Sequence, residues 1–324
     1  MFPLDSIIQI RYFLGHSLQL QHWLWLILAQ SCWAASYIAM KIAGDEMPVG
    51  VVVFLRYGIV SLVFLAALPL IGFPRLARRD ILLVAGLGIL NFTLAPTLQV
   101  GSLRYTQAID VSVLIALEPM MTVLVAALVL GERPNRATIF ALIAGTMGML
   151  TLSGFGFGGA TPGAPNRLLG NVLFTLSLLC ESSLTVAGRT LGLRYPSSQI
   201  IFVMKLVGFL AAGLAYAPTI AATDFGVITV RGWASVAFLA VFSSIFAYIV
   251  WYRVIRVVPV AYVALSLFVQ PLVGSVLGYA FLGEQIGVQT VIGAILVCVS
   301  LAWWQLRAAA TAAKAASVTA PPGT

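Results

Sequence analysis

Residues 106–130 read TQAIDVSVLIALEPMMTVLVAALVL, an apolar run of 25 residues. A bilayer core of about 30 Å requires about 20 apolar residues in a helix that rises about 1.5 Å per residue. This run therefore predicts a membrane-spanning helix. Nine further segments of this kind are separated by turn residues or charges, and they run from His22 to Ala43, Pro48 to Gly72, Asp80 to Val100, Asn135 to Ser153, Arg167 to Arg189, Ser197 to Ala217, Arg231 to Arg253, Val258 to Leu282 and Gly287 to Leu306.

The composition also indicates an all-α integral membrane protein with ten transmembrane helices. Hydrophobic residues make up 61% of the 324-residue chain and charged residues only 9%. Soluble domains have about 45–50% apolar and about 25% charged residues, so this chain has too few polar side chains to cover a globule in water. Membrane lipid is therefore a predicted partner.

The excess of basic residues does not indicate a nucleic-acid partner. The net charge is +8, but only Arg75, Arg78 and Arg79 lie close together, and no aromatic residues alternate with them. The few cysteines lie inside apolar runs and histidines are scarce, which argues against a disulfide framework and against a metal site; these residues are Cys32, Cys180, Cys298, His16 and His22. We expect no metal and no cofactor.

The ends and the middle of the chain differ from the predicted spans. Residues 1–21 lack a small-residue cleavage site, which favours a cytoplasmic, interfacial helix over a signal peptide. Residues 155–166 are rich in Gly and Pro and predict a periplasmic loop, and residues 308–324 predict a disordered cytoplasmic tail. Two five-helix units remain, residues 22–154 and residues 167–307.

The distribution of Lys and Arg predicts the orientation in the membrane. With the N-terminus in the cytoplasm, twelve basic residues fall on the inner side and four on the outer side. The outer ones are Lys41, Arg104, Arg167 and Arg231, and two more lie within spans, Arg56 and Lys205. We therefore expect both termini to be cytoplasmic, in a bacterial-type inner membrane.

Two segments indicate an internal repeat. Glu118-Pro119 is followed by Gly131-Glu132, and Gln270-Pro271 is followed at the same spacing by Gly283-Glu284, an offset of 152 residues. Chance similarity between apolar helices is the alternative. If each half holds five helices, an odd number, the second half enters the membrane inverted. Inverted repeats are an architecture of secondary transporters.

These features together resemble a known family. The ten spans, the halves of equal length, Trp33, Arg56-Tyr57 and the two Pro-to-Gly-Glu segments resemble the drug/metabolite transporter superfamily in its EamA-type branch. Residues 117–133, LEPMMTVLVAALVLGER, look like those of bacterial members that export amino acids and related metabolites. The resemblance implies an exporter with a central cavity between the repeats, driven by proton exchange.

Two cations inside predicted spans are candidates for substrate binding. Arg56 is ninth in the second span and Lys205 ninth in the seventh, and these spans are equivalent in the repeat. They could line a cavity from opposite sides and bind an anionic group of the substrate. The alternatives are snorkelling or an ion pair between helices, for which Glu181 is the nearest candidate partner.

Other polar residues at depth complete the candidate site. Asn91 and Ser243 are equivalent at the 152-residue offset and could hydrogen-bond a substrate, as could Gln270. Bonding to the backbone of a neighbouring helix is the alternative for each. Trp33 lies away from the helix ends, where an interfacial Trp is expected, and it could line or close the cavity.

Pro119 and Pro271 are candidate hinges. Each removes a backbone donor and frees the carbonyl four residues earlier, which kinks a helix. The kink could serve as a hinge or as a static bend.

Glu118 is the candidate proton-coupling residue. It is thirteenth in the span of 25 residues, near the membrane midplane, where a low dielectric disfavours the charged carboxylate. A carboxyl group there could bind a proton and substrate in turn. The alternative is that protonated Glu118 only donates a hydrogen bond to a carbonyl freed by the kink.

The function predicted from these residues is secondary active export of small polar metabolites by proton-coupled alternating access. A rival is an importer or exchanger of anionic sugars or phosphates, which would use Arg56 and Lys205. An intramembrane enzyme is a further alternative, but we predict no catalytic constellation. A monomer is favoured, with a homodimer possible through small-residue faces such as that of Gly274 and Gly278.

Overall fold

A computed structural model describes residues 4–72, 76–131, 136–154, 164–254 and 266–319. Within these ranges the regular elements are all helices. Ten longer ones are named here as α1 Leu4–Glu46, α2 Val49–Ala66, α3 Arg78–Ser102, α4 Ala108–Leu130, α5 Arg136–Leu152, α6 Arg167–Gly192, α7 Ser197–Ala215, α8 (Val230–Phe238, Leu239–Phe246 and Ala247–Val254), α9 Val269–Leu282 and α10 Val288–Thr319. Short helical turns connect some of them at Leu68–Ile71, Ala217–Ala222 and Phe225–Val227.

Eight of these helices are long and apolar enough to cross a bilayer. They are α1, α2, α3, α4, α6, α7, α8 and α10. The other two predicted spans coincide with shorter apolar helices, α5 and α9, and each of these begins beside residues outside the described ranges. The chain is therefore an all-helical, multi-pass membrane protein, and the number of ten spans stays a prediction.

The described chain is helical at both ends, at the N-terminal end where a helix was expected and at the C-terminal end where a disordered tail was expected. Helix α1 runs without interruption from Leu4, and α10 continues to Thr319. The expected disordered tail therefore differs from the structure over residues 308–319. This segment is rich in Ala, which has the highest helix propensity, and it holds no Pro before residue 321. The predicted loop at residues 155–163 lies outside the described residues.

Irregular backbone recurs at the offset of 152 residues. Helix α3 contains a π-helical segment at Leu90–Leu94, and α8 contains one at Leu239–Phe246, which covers the equivalent positions. Helix α4 ends its first part in a 3₁₀ turn at Ile115–Leu117, before Pro119. The helices α4 and α9 both end at a left-handed glycine, Gly131 with φ 70° and Gly283 with φ 65°. A positive φ strains any side chain with a Cβ, which explains the glycines.

Small residues let the helices pack closely. Gly274 and Gly278 of α9 face Ser112 and Ile109 of α4. This small-residue face is thus used inside the monomer. Helix α5 packs mainly against α10.

Buried ion pairs join helices that are distant in sequence. Asp110 of α4 is fully buried, and the Arg167 guanidinium donates to both of its carboxylate oxygens at 2.5 and 2.6 Å. Thr106 and Asn171 donate further hydrogen bonds to Asp110. A second pair, between Arg194 and Asp80 at 2.9 Å, is more exposed, since 42% of the Arg194 side chain is accessible.

These two pairs predict different losses of stability. Arg167→Met leaves the buried Asp110 carboxylate without its cation, which should cost about 3–5 kcal/mol. Arg194→Met is the matched control and should cost about 0–1 kcal/mol because its pair is partly solvated and Asp80 keeps the Tyr195 hydroxyl. Thermal unfolding of the purified variants in detergent measures both. Equal losses would contradict the assigned difference in burial.

Candidate functional site

A cavity of about 520 Å³ lies in the middle of the helix bundle. Residues from α1, α2, α3, α4, α6, α7, α8 and α9 contribute to its wall. Its polar lining residues are Gln30, Trp33, Ser36, Tyr37, Arg56, Tyr57, Asn91, Gln99, Glu118, Glu181, Thr185, Ser243, Tyr248 and Gln270. A polar interior surrounded by apolar helices is suited to a small polar ligand.

Most residues selected from the sequence meet in this cavity. Six of them line its wall, namely Trp33, Arg56, Asn91, Glu118, Ser243 and Gln270. Lys205, Pro119 and Pro271 are not among the lining residues. The convergence follows from the helix packing, since the six residues belong to six different helices.

Arg56 is held on one side by two serines of the π-helical segment of α8. Its Nε donates to Ser244 Oγ at 2.8 Å and its Nη2 donates to Ser243 Oγ at 3.3 Å. The third nitrogen, Nη1, is buried and has no hydrogen-bond partner among the described residues. Ser243 and Ser244 therefore position Arg56, and one guanidinium donor is left unsatisfied by the described residues.

The repeat predicted that Lys205 faces Arg56 across the cavity. In the structure it does not. It is 1% exposed, and its Nζ donates to the carbonyl of Ser244 at 2.7 Å. The ring of Tyr248 lies 4.5 Å from Nζ, which adds a cation–π contact. The two cations are joined through Ser244 of the π-helical segment, whose hydroxyl accepts from Arg56 and whose carbonyl accepts from Lys205.

Two carboxylates line the cavity, and the sequence analysis had not paired them. Glu118 comes from α4 and Glu181 from α6. The expected ion pair of Glu181 with Arg56 or Lys205 is not among those of the described residues, which are Lys41–Glu284, Arg167–Asp110 and Arg194–Asp80. Gln99 of α3 lines the cavity together with Glu181. The similar depth of both glutamates in their spans was the signal that could have paired them.

A chain of side-chain hydrogen bonds crosses the cavity wall between α1 and α9. Tyr37 donates to Gln270 Oε1 at 3.2 Å, and Gln270 Nε2 donates to Gln30 Oε1 at 2.6 Å. Gln30 Nε2 in turn donates to Ser266 Oγ at 3.2 Å. Gln270 therefore has protein partners, and Tyr37 and Gln30 are polar wall residues that sequence reasoning did not assign to the site.

Asn91 and Trp33 are also partly engaged by the protein. Asn91 Nδ2 donates to the Leu87 carbonyl at 3.0 Å, while its Oδ1 is buried without a partner among the described residues. Trp33 Nε1 donates to the Ser243 carbonyl at 3.1 Å. The Trp33 ring packs edge-on against Tyr248 and Trp251, with centroids 5.4 and 5.5 Å apart. Trp33 thus forms an aromatic wall of the cavity.

One end of the bundle is sealed by a buried charge network. Glu284, just after the left-handed Gly283, accepts the backbone N–H groups of Ala108 and Ile109 at 2.7 and 2.9 Å. Its carboxylate thereby caps the positive N-terminus of α4. Lys41 of α1 completes the network, 3.1 Å from Glu284. At the opposite end the cavity is lined by Gly188 of α6 and by Ile200 and Ile201 of α7, and Thr185 of α6 is exposed.

Both halves of the chain are similar to one known protein family. Residues 21–154 and 168–304 each match the EamA-like transporter family. The chain belongs to this family. The match confirms the resemblance drawn from the sequence, and it indicates a transporter rather than an enzyme.

Two relatives and one solved structure show which proteins this EamA-like chain is similar to. It is 26% identical over 283 residues to the "Uncharacterized transporter YetK" of Bacillus subtilis strain 168, covering 85% of each chain. It is 25% identical over 268 residues to the "Probable terminal-alkyne amino-acid exporter" of Streptantibioticus cattleyicolor, covering 80% of this chain and 84% of the relative. A crystal structure with 19% identity matches 91% of this chain and 99% of its own with a TM-score of 0.58, a likeness of fold.

The difference between the two ends of this EamA-like bundle can be measured by cysteine labelling. In a background without Cys32, Cys180 and Cys298, Thr185→Cys should react with a small hydrophilic maleimide in native, detergent-solubilised protein. Ser102→Cys, at a fully buried position near the sealed end, should not react until SDS unfolds the protein. Rapid native labelling of Ser102→Cys would contradict a sealed end.

Proposed function

We propose that this EamA-family protein is a secondary active transporter that exports amino acids or related small polar metabolites across a bacterial cytoplasmic membrane. The observation that carries the proposal is the polar cavity at mid-bundle, lined by Arg56 and Glu118 and surrounded by apolar helices. Charged groups at that depth are costly, and in membrane proteins they mark substrate and ion pathways. The named amino-acid exporter among the relatives supports the substrate class.

We also propose ten transmembrane helices in two inverted halves, with both termini in the cytoplasm. The recurrence of π-helical segments and left-handed glycines at the 152-residue offset supports the repeat. The double match to one family supports it independently. The count of basic residues supports the orientation.

Alternating access follows from this layout. With the cytoplasmic termini assigned as above, the network of Lys41 and Glu284 lies on the outer side, and the cavity reaches toward the cytoplasm. Export then requires the outer network to open and the inner end to close. Pro119 and Pro271 are the proposed hinges, and the 3₁₀ turn before Pro119 supports a weak point in α4.

Glu118 is the proposed proton-coupling group. Its carboxyl group lines the cavity beside Glu181 and has no ion-pair partner among the described residues. A carboxyl group in that position can exchange a proton with one compartment and then with the other as access alternates. Protons, a small polar substrate and lipid are thus the proposed partners of a monomeric protein.

Transport of anionic sugars or phosphates is the rival function. The unpartnered Nη1 of Arg56 and the nearby Lys205 favour an anion. The two glutamates in the same cavity oppose a multiply charged anion, because like charges at low dielectric repel strongly. We therefore rank this rival second.

The orientation can be tested with single cysteines on a cysteine-free background. Ala160, in the proposed periplasmic loop and outside the described residues, should label with an impermeant maleimide added to intact cells. Pro196, between α6 and α7, should label only after the membrane is permeabilised. Labelling of both residues from the same side would remove the inverted-repeat proposal.

The coupling role can be tested with purified protein in liposomes. Glu118→Gln keeps the size of the side chain but cannot titrate, so amino-acid accumulation driven by an imposed pH difference should fall at least tenfold, while exchange without a gradient persists. Glu46→Gln, a carboxylate outside the cavity that binds Thr229, is the matched control and should transport normally. Gradient-driven accumulation by Glu118→Gln would show that another group couples the proton.

A further inference from the structure

We propose that the cavity binds its substrate as a zwitterion, with the substrate carboxylate on Arg56 and its ammonium group on Glu181, and that Lys205 is the positioning residue for this site. The inference rests on the proposed transport function and deepens it by naming the charges that the substrate carries. It assigns Glu181 a binding role that is distinct from the coupling role of Glu118.

The anion-binding pole is the free side of Arg56. Two of its three nitrogens are occupied by Ser244 and Ser243, and the Arg56 side chain is 7% exposed. The remaining nitrogen, Nη1, is a buried, charged donor that no described group satisfies. A charged donor left without an acceptor is expensive, so the arrangement is completed by a ligand acceptor. A carboxylate is the acceptor that guanidinium binds best.

The cation-binding pole is Glu181. Its carboxylate lines the same cavity and lies close enough to Arg56 to be affected by the guanidinium charge, yet the two do not form one of the ion pairs of the described residues. An acid and a base that face one cavity without direct contact leave space for a ligand that carries both opposite charges.

The total charge of the site favours a neutral, dipolar ligand. Arg56 and Lys205 contribute two cations, and Glu118 and Glu181 contribute two carboxylates when ionised. A zwitterion leaves this balance unchanged, whereas an amine or a phosphate would add net charge where water is scarce. Because neither pole uses Glu118, this residue can gain or lose a proton while the ligand stays bound between Arg56 and Glu181.

Lys205 acts through the backbone that supports Arg56. It donates to the Ser244 carbonyl, while the Ser244 hydroxyl accepts from Arg56 and donates to the Leu239 carbonyl at 2.8 Å. The lysine thereby fixes the π-helical segment in the register that presents Ser243 and Ser244 to the guanidinium. Since Lys205 is not part of the cavity wall, its effect on a ligand is indirect.

The first experiment measures binding to the purified full-length protein in detergent by calorimetry. Each proteinogenic amino acid is compared with its decarboxylated and deaminated counterparts, for example leucine with isopentylamine and 4-methylpentanoate. At least one amino acid should bind at least tenfold more tightly than both of its counterparts. If an amine or an acid binds as well as its parent, or no amino acid binds, the inference is overturned. Liposome transport of some other solute would then leave the proposed function standing.

Variants assign the two poles. Arg56→Gln should weaken binding of the amino acid at least tenfold and leave the amine within about twofold, which removes the preference for a carboxylate. Glu181→Gln should do the converse and leave the acid within about twofold. An unchanged preference in either folded variant would refute its assigned pole. Melting temperatures establish that each variant is folded. If a variant does not fold, the comparison of amino acid, amine and acid binding to the wild-type protein still tests the inference.

The positioning role has its own readout. Lys205→Met should reduce the preference for the amino acid over its amine, as Arg56→Gln does, and combining the two should add little further loss. Lys205→Arg should restore the preference. Thr93→Val is the control, since Thr93 donates to the Gly208 carbonyl away from the cavity wall, and it should change stability without changing the preference. If Lys205→Met weakened binding of the amino acid, the amine and the acid equally, Lys205 would have only a general structural role.

Discussion

The architecture depends on one constraint, that a polar group inside the bilayer finds its partner within the protein because neither water nor lipid supplies one. The buried charges of the described chain follow this rule. Asp110 has Arg167, Glu284 has Lys41 and the first N–H groups of α4, and Lys205 has the Ser244 carbonyl. The first two contacts join segments that are not neighbours along the chain and the third joins α7 to α8, so satisfying the charges also helps to determine how the bundle is assembled.

Most exceptions to this rule lie in the cavity, although Ser61 Oγ of α2 is also buried without a partner in the described chain and is not among the lining residues. Nη1 of Arg56 and Oδ1 of Asn91 are buried without a partner in the described chain, and both residues line the wall. Glu118 and Glu181 line it as well, outside the ion pairs of the described residues. A cavity that gathers unpaired polar groups while other buried charges are paired is what the proposed binding of a polar ligand requires.

Irregular helices supply the geometry that this cavity needs. The π-helical segments of α3 and α8 contain Asn91 and Ser243, and regular α-helices would not present the Ser244 carbonyl to Lys205 and its hydroxyl to Arg56 together. The two halves share these irregularities but differ in chemistry. Glu118 is replaced at the equivalent position by Gln270, which is engaged by Tyr37 and Gln30. At this pair of equivalent positions, one half thus carries a titratable group while the other carries a hydrogen-bonded amide.

The sequence by itself determined the membrane class, the positions of the apolar helices and most of the cavity residues, because hydropathy and the cost of buried charge act locally along the chain. The sequence also identified Gly283-Glu284 as part of the internal repeat, but it did not show that Glu284 caps α4. Only the tertiary structure decided that Lys205 lies behind Ser244, that Glu181 joins Glu118, and that residues 308–319 continue a helix. Partners such as these are chosen by helix packing and by the register of the π-helical turns, and neither is encoded in the spacing of residues within one span.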